Sequence, residues 1–264
     1  MPKIDIIAPI FHIDLETFKT CIDSWYREIP IKRLIIGLGK ENPELESLLS
    51  EYENVYVIDQ YMHKTLGYCM MELIRATDGD FFVYLHGDVQ LTENWFERMW
   101  ERRVLGILES QKNPKTFGDV AITQAKKARA YSGAQLIYKP ALETLNWSDD
   151  FMYCAEDLVI QNVITNLGYT YKKVPIFHNH YIQENKRTQD KETLLDWQWR
   201  ALIKYAYPSE KLAVSIVSII DYSEKMWEKK VDWETFANET NPDWVPLLKR
   251  RLAYLQKAER LRKR

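Results

Sequence analysis

No apolar run in this sequence is long enough to cross a bilayer. The most apolar stretch, "LAVSIVSII", reaches about half of the roughly 20 residues a spanning helix needs. Cysteine is scarce as well. Cys21, Cys69 and Cys154 lie far apart without metal-like spacing, an odd, scattered set that fits reduced thiols in a cytoplasmic protein better than a disulfide framework. Charge of one sign is missing too: a net of −2 argues against a nucleic-acid binder. The start, "MPKIDIIAPIF", carries one lysine and no long apolar region ending in small residues, so no signal peptide is expected. Neither an internal repeat nor a low-complexity segment interrupts the chain.

What is present suits a folded α/β protein. With 264 residues, 46% of them apolar, the chain can form one large domain or a domain with an appendage. Apolar runs of strand length occur at "IDIIAPI", "RLIIGL", "NVYVI" and "FFVYL". Helical faces lie between them: Leu15, Phe18, Ile22 and Trp25 after an Asp14 cap; Leu45, Leu48, Leu49 and Tyr52 after Asn42-Pro43; and Leu66, Met70, Leu73 and Ile74. Alternating strands and helices, with continuously apolar strands, predict a mostly parallel, Rossmann-type sheet flanked by helices. Ligands of such sheets sit beyond the carboxyl ends of the strands, where His86-Gly87-Asp88 lies. A short strand is expected near "DVAIT", a helix from Glu156 ended by Gly168, a strand through "VPIFHNHY", and a polar loop at "QENKRTQDKET".

Three clusters can carry chemistry: "LHGDV", "CAEDL" and "IFHNHY". Taken singly, each has a plain reading. Asp88 is a turn residue, and Glu156 and Asp157 are first-turn acids that complement a helix dipole. His178 and His180, two apart on a strand, share one face, and a pair there favours a ligand role over a lone structural histidine.

Their order changes the weighing. The segments "IDIIAPIFH", "LHGDVQLTENWFERM", "YSGAQLIYKPALETLN" and "AEDLVIQNVITNLGYTYKKVP" resemble, in sequence order, those of the family 2 glycosyltransferases, which have the GT-A fold. The resemblance covers residues 3 to 181, and no single motif in it is specific. Two positions depart from the family. His86 stands where an aspartate usually faces the donor ribose, and the second strand ends in Gly37-Leu38-Gly39 instead of an acidic turn.

The resemblance implies a metal-dependent, inverting, hexosyltransferase-type enzyme with a nucleotide-sugar donor, a UDP-sugar foremost, and a glycan or glycolipid acceptor. It implies Asp88 and one of His178 and His180, preferably His180, as ligands of Mn2+ or Mg2+. A histidine in the set tilts toward Mn2+. Asp157, with Glu156 as substitute, is implied as the general base, and Pro9, Phe11, His86, Asp88, Lys186 and Arg187 fall to the donor. Rival readings are a non-catalytic carbohydrate- or nucleotide-binding protein on the same fold and a sugar-nucleotide nucleotidyltransferase. The latter ordinarily has a glycine-rich basic turn after its first strand, which "APIFHIDLE" lacks.

The expected division is a GT-A-like domain over 1–190 and a helical extension over 191–264. The extension's tryptophans and tyrosines either fill a core or stack on acceptor sugars, with core packing favoured. Its basic final helix, "LLKRRLAYLQKAERLRKR", could instead rest on the inner face of an anionic membrane.

Overall fold

The computed structural model describes residues 1–11, 13–61, 66–113, 133–143, 145, 156–181 and 191–262. The four N-terminal apolar runs become strands β1 (Ile4–Ile10), β2 (Ile31–Leu38), β3 (Val55–Asp59) and β4 (Phe81–Leu85), paired in parallel in the order β3-β2-β1-β4. Helices α1 (Leu15–Glu28), α2 (Pro43–Leu49) and α3 (Leu66–Ala76) connect them. Both predicted caps form: Asp14 accepts from the Thr17 N–H at 2.8 Å, and Asn42 accepts from the Leu45 N–H at 3.0 Å with Pro43 starting the helix.

Side chains of β1 alternate between two cores. Ile4, Ile6, Ala8 and Ile10 pack with Phe18, Ile22 and Trp25 of α1, while Ile7 packs with Leu73 and Ile74 of α3. Covering both faces makes the strand continuously apolar.

Beyond β4 the sheet becomes mixed. Strands β5 (Val89–Leu91), β6 (Gly106–Lys112), β7 (Ala134–Tyr138) and β8 (Thr170–His180) extend the order to β3-β2-β1-β4-β7-β6-β8-β5. Pairings β4–β7, β6–β7 and β5–β8 are antiparallel, and β6–β8 is parallel. Hydrophobic periodicity cannot distinguish these directions, because it records which faces of a strand are covered and not which way its neighbour runs. Helix α4 (Trp95–Glu101) lies on the α1 side; α5 (Lys139–Glu143) and α6 (Glu156–Asn166) lie on the α3 side. Gly168, at φ +90°, ends α6 as expected, and the Tyr169 N–H returns to the Ile164 carbonyl at 2.9 Å. The stretch "DVAIT" and the polar loop to residue 190 lie outside the described residues.

Helices α7 (Lys191–Tyr205), α8 (Glu210–Trp227), α9 (Trp233–Thr240) and α10 (Trp244–Arg262) follow. Trp199, Leu202, Ile216, Trp244 and Leu248 share one core with Ile7, Ile35 and Phe82 of the sheet. Trp199 and Trp244 are therefore core residues. On α10, Leu247, Leu252 and Leu255 also pack on this core, while Lys249 pairs with Glu234 and Arg250 with Glu210. No described helix is long and apolar enough to cross a membrane.

The short strand β5 sits at the sheet's end, where an edge strand leaves backbone groups unpaired. Helix α1 supplies the missing partners. The Trp25 indole N–H donates to the Val89 carbonyl at 2.7 Å, and the Ser24 hydroxyl accepts from the Leu91 N–H at 2.9 Å, both buried. From the partner strand β8 and the residue just past it, the Asn179 amide and the Tyr181 hydroxyl both donate to Gln90 Oε1 at 2.8 Å.

Substituting Trp25→Phe should lower unfolding stability by about 2–4 kcal/mol, because it leaves a buried carbonyl unpaired and a void beside it. Urea unfolding curves measure the loss, and faster amide exchange at Leu91 would locate it in β5.

Candidate functional site

The chain leaves β4 at Leu85, turns through His86-Gly87-Asp88 and returns as β5. The Val89 N–H closes that turn on the His86 carbonyl at 3.1 Å. Two further backbone bonds fix its position: the His86 N–H donates to the Gly133 carbonyl at 2.8 Å, and the Tyr181 N–H to the Asp88 carbonyl at 2.9 Å. The β5–β8 register places Val89 opposite His180. The outcome is a cluster built from segments distant in sequence. His180 Nε2 lies 3.2 Å from Asp88 Oδ1, and the His86 and His180 rings meet edge to face at 5.7 Å. One potential ligand atom from each of His86, Asp88 and His180 lies within 4.8 Å of the other two.

Gly133 makes room for this arrangement. Its φ is +76°, and a Cβ there would sit 2.8 Å from the His86 ring and 3.1 Å from that of His180. Nothing at the level of sequence singled out Gly133. Its only signal is a glycine just ahead of the apolar run "AQLIY".

Burial pushes the Asp88 carboxyl up, but the hydrogen bond and charge of His180 and the charge of His86 outweigh it and hold the group below its ordinary value of 3.8. Asp88 is thus an anion between two imidazoles. Its field extends outward: burial and Asp88 together raise the Cys21 thiol, whereas burial lowers the Lys112 ammonium against the pull of Asp88 and Glu109. A carboxylate oxygen and imidazole nitrogens at this separation are donors that fit a divalent cation. His178 shares the strand face but turns to Ser110, whose Oγ lies 2.8 Å from His178 Nδ1, and it stands outside the three-residue cluster.

Beside the cluster, a cleft of about 470 Å³ opens past the carboxyl ends of β1 and β2, lined by Phe11, Ile13, Lys40, Glu41, Asn42 and Pro43 among others. Its wall requires Gly39, because a Cβ there would fall 2.3 Å from the Phe11 ring. Ile13 joins cleft and cluster: a Cβ on Gly87 would meet its Cδ1 at 2.4 Å. Pro9, half-buried on β1 opposite Gly37 of β2, is not among the residues lining the cleft. Sequence reading named Phe11 but missed Ile13, Lys40 and Asn42, although the Gly37-Leu38-Gly39 departure marks the place. Glu156 and Asp157 open α6, with side chains outside the described set, and Lys186 and Arg187 lie outside the described residues altogether.

No known family profile matches the chain, and no curated protein matches it in sequence. Solved structures do match. A mannosyltransferase from Pyrobaculum calidifontis, in complex with GDP-Man and Mn2+, aligns over 97% of this chain and 76% of its own at 13% identity and TM-score 0.58. S. aureus TarS 1-349 aligns over 85% and 72%, at 11% identity and TM-score 0.59. GalNAc-T7 with UDP, GalNAc and Mn2+ aligns over 91% of this chain but 57% of its own, at 10% identity and TM-score 0.57. Identities this low carry the fold: an α/β architecture with a large mixed sheet flanked by helices, of GT-A type.

Two outcomes follow from the geometry. Gly133→Ala should cost more than about 1 kcal/mol through its positive φ and drive the two imidazoles apart, visible as shifted histidine ring resonances by NMR. Because the folded carboxyl of Asp88 lies below its ordinary value, it adds stability that is full above 3.8 and lost as pH falls through the lower folded value. Acid titration of unfolding should therefore show a shallower limb for Asp88→Asn.

Proposed function

We propose that the chain is a metal-dependent glycosyltransferase that moves a sugar from a nucleotide-sugar donor to an acceptor hydroxyl with inversion. The observation that carries this reading is the placement of Asp88 and His180, 3.2 Å apart, at a strand end beside the 470 Å³ cleft. The fold is shared with a mannosyltransferase solved with GDP-Man and Mn2+ and with GalNAc-T7 solved with UDP, GalNAc and Mn2+.

In this reading Asp88 and His180 hold the cation, which when bound neutralises charge on the departing diphosphate. Phe11 offers a flat face to the base, and Lys40, Glu41 and Asn42 offer polar groups around it. Pro9 and His86 border the donor's sugar portion, and Lys186 and Arg187 add positive charge near the phosphates. Asp157 takes the proton of the attacking hydroxyl, a role typically worth about 10² to 10⁴ in rate, and Glu156 is its substitute. One base and one direct displacement give inversion. The acceptor is a glycan or glycolipid. Contact with an anionic membrane, should α10 make it, would leave Leu247, Leu248, Leu252 and Leu255 in the core and use the Lys and Arg residues with the exposed Tyr254.

Asp88→Ala should abolish Mn2+-dependent nucleotide binding in calorimetry, and unchanged binding would remove the site. Asp157→Asn should lose transfer while still binding nucleotide with metal, so full activity in that variant would refute the base. A thermal-shift screen of UDP-, GDP- and dTDP-sugars with and without Mn2+ identifies the donor, because a ligand of the native state raises its apparent stability. Hydrolysis of the donor in the Mn2+ samples separates an enzyme from a binding protein.

A further inference from the structure

We propose that the bare edge of the sheet at β3 pairs with β3 of a second copy of this chain, antiparallel about a two-fold axis through Val57. The proposal does not depend on the glycosyltransfer reading, and it concerns a part of the molecule which that reading leaves unused.

The two ends of the sheet differ. At β5 the outer backbone groups are taken up by Trp25 and Ser24 of α1. At the opposite end, among the described residues, β3 pairs with β2 alone. Two hydrogen bonds fix which way its backbone groups point. The Leu34 N–H donates to the Asn54 carbonyl at 2.8 Å, and the Gln60 N–H donates to the Leu38 carbonyl at 2.7 Å. Successive residues of a strand turn these groups to opposite sides, so Tyr56 and Ile58 face β2 while Val55, Val57 and Asp59 present theirs outward. Side chains do not cover the edge either. Tyr56 on one face is 53% exposed, and Val57 on the other is 42% exposed. Native edges are ordinarily blunted by lysine, proline or a bulge. β3 contains neither residue, and its register with β2 is unbroken.

The strand's own sequence identifies the partner. Pairing about Val57 brings outward-facing residues together: Val57 opposite Val57 and Val55 opposite Asp59, each pair exchanging both backbone bonds. Between them Tyr56 meets Ile58, an aromatic against a β-branched side chain. The acids Glu53 and Asp59 stay apart, facing Tyr61 and Val55. Moving the axis to Tyr56 sets Asp59 against Glu53, and moving it to Ile58 carries the pairing past Asp59, where the strand ends. Charge and length therefore select one register. Such a contact uses the same patch on both copies and closes at two. Because the strands run in opposite directions, the two clefts open at opposite ends of the joined sheet. A pairing of five residues takes less area than the roughly 800 Å² per partner of a standard interface, so the dimer dissociates on dilution.

Sedimentation velocity of the full chain, from low to several hundred micromolar, should show a monomer–dimer equilibrium. Val57→Lys should raise its dissociation constant by about tenfold or more, because the introduced charge faces itself across the axis. Val57→Glu should act alike, and mixing the two variants in equal parts should restore the dimer, since their charges are then opposite. That recovery also shows that both variants remain folded. Amide exchange should slow with concentration at Val55, Val57 and Asp59. A chain that stays monomeric throughout would overturn the proposal and leave the edge to an extended segment of another protein. A dimer that tolerates Val57→Lys would place the interface elsewhere and overturn it equally, and mixed variants that stay apart would refute the axis at Val57.

Discussion

The three-residue antiparallel ladder between β5 and β8 governs the functional end of this molecule. Asp88 precedes that ladder and His180 belongs to it, so its register decides whether carboxylate and imidazole meet. A slip of one residue would send His180 to the opposite face. A strand so short cannot hold register alone. Its outer edge is secured by Trp25 and Ser24 from α1, and its pairing is reinforced by the amide and phenol bonds converging on Gln90.

Seen this way, the first helix has two tasks. Phe18, Ile22 and Trp25 fill one core, and the same Trp25, through its single polar atom, fastens the strand that follows the candidate site. The opposite side of the sheet is covered by α3, α5, α6 and the C-terminal helices, which share a core with it. With helices covering both faces, the strand ends remain as the open part of the sheet, where the cleft and the three-residue cluster lie.

Much of this was legible because it is local. Caps at Asp14 and Asn42, the stop at Gly168 and the four N-terminal strands each depend on a few neighbouring residues, and periodicity records them. Strand direction in the second half was not legible, because the apolar period of a strand depends on its covered faces and not on the direction of its neighbour. Among the histidines, sequence placed His178 and His180 on one face and could go no further; Ser110, from another strand, occupies one and leaves the other beside Asp88. His86 read as a departure from a family pattern, since its proximity to His180 arises from a pairing no local rule encodes. Gly133 stayed hidden for the same reason: the space it preserves belongs to side chains 47 positions before it and 47 after it.

That separation also bears on how the protein is made. Contacts joining β5 to β8 span 89 and 91 residues of chain. Closing so wide a loop is entropically costly, and contacts of this kind tend to form late. A nascent chain can therefore complete β1 to β4 with α1 well before the last strand leaves the ribosome, with β5 resting on Trp25 and Ser24 in the interval. The cluster would then be the final part of the sheet to assemble, so that any affinity for a cation arises only in a chain whose folding is nearly complete.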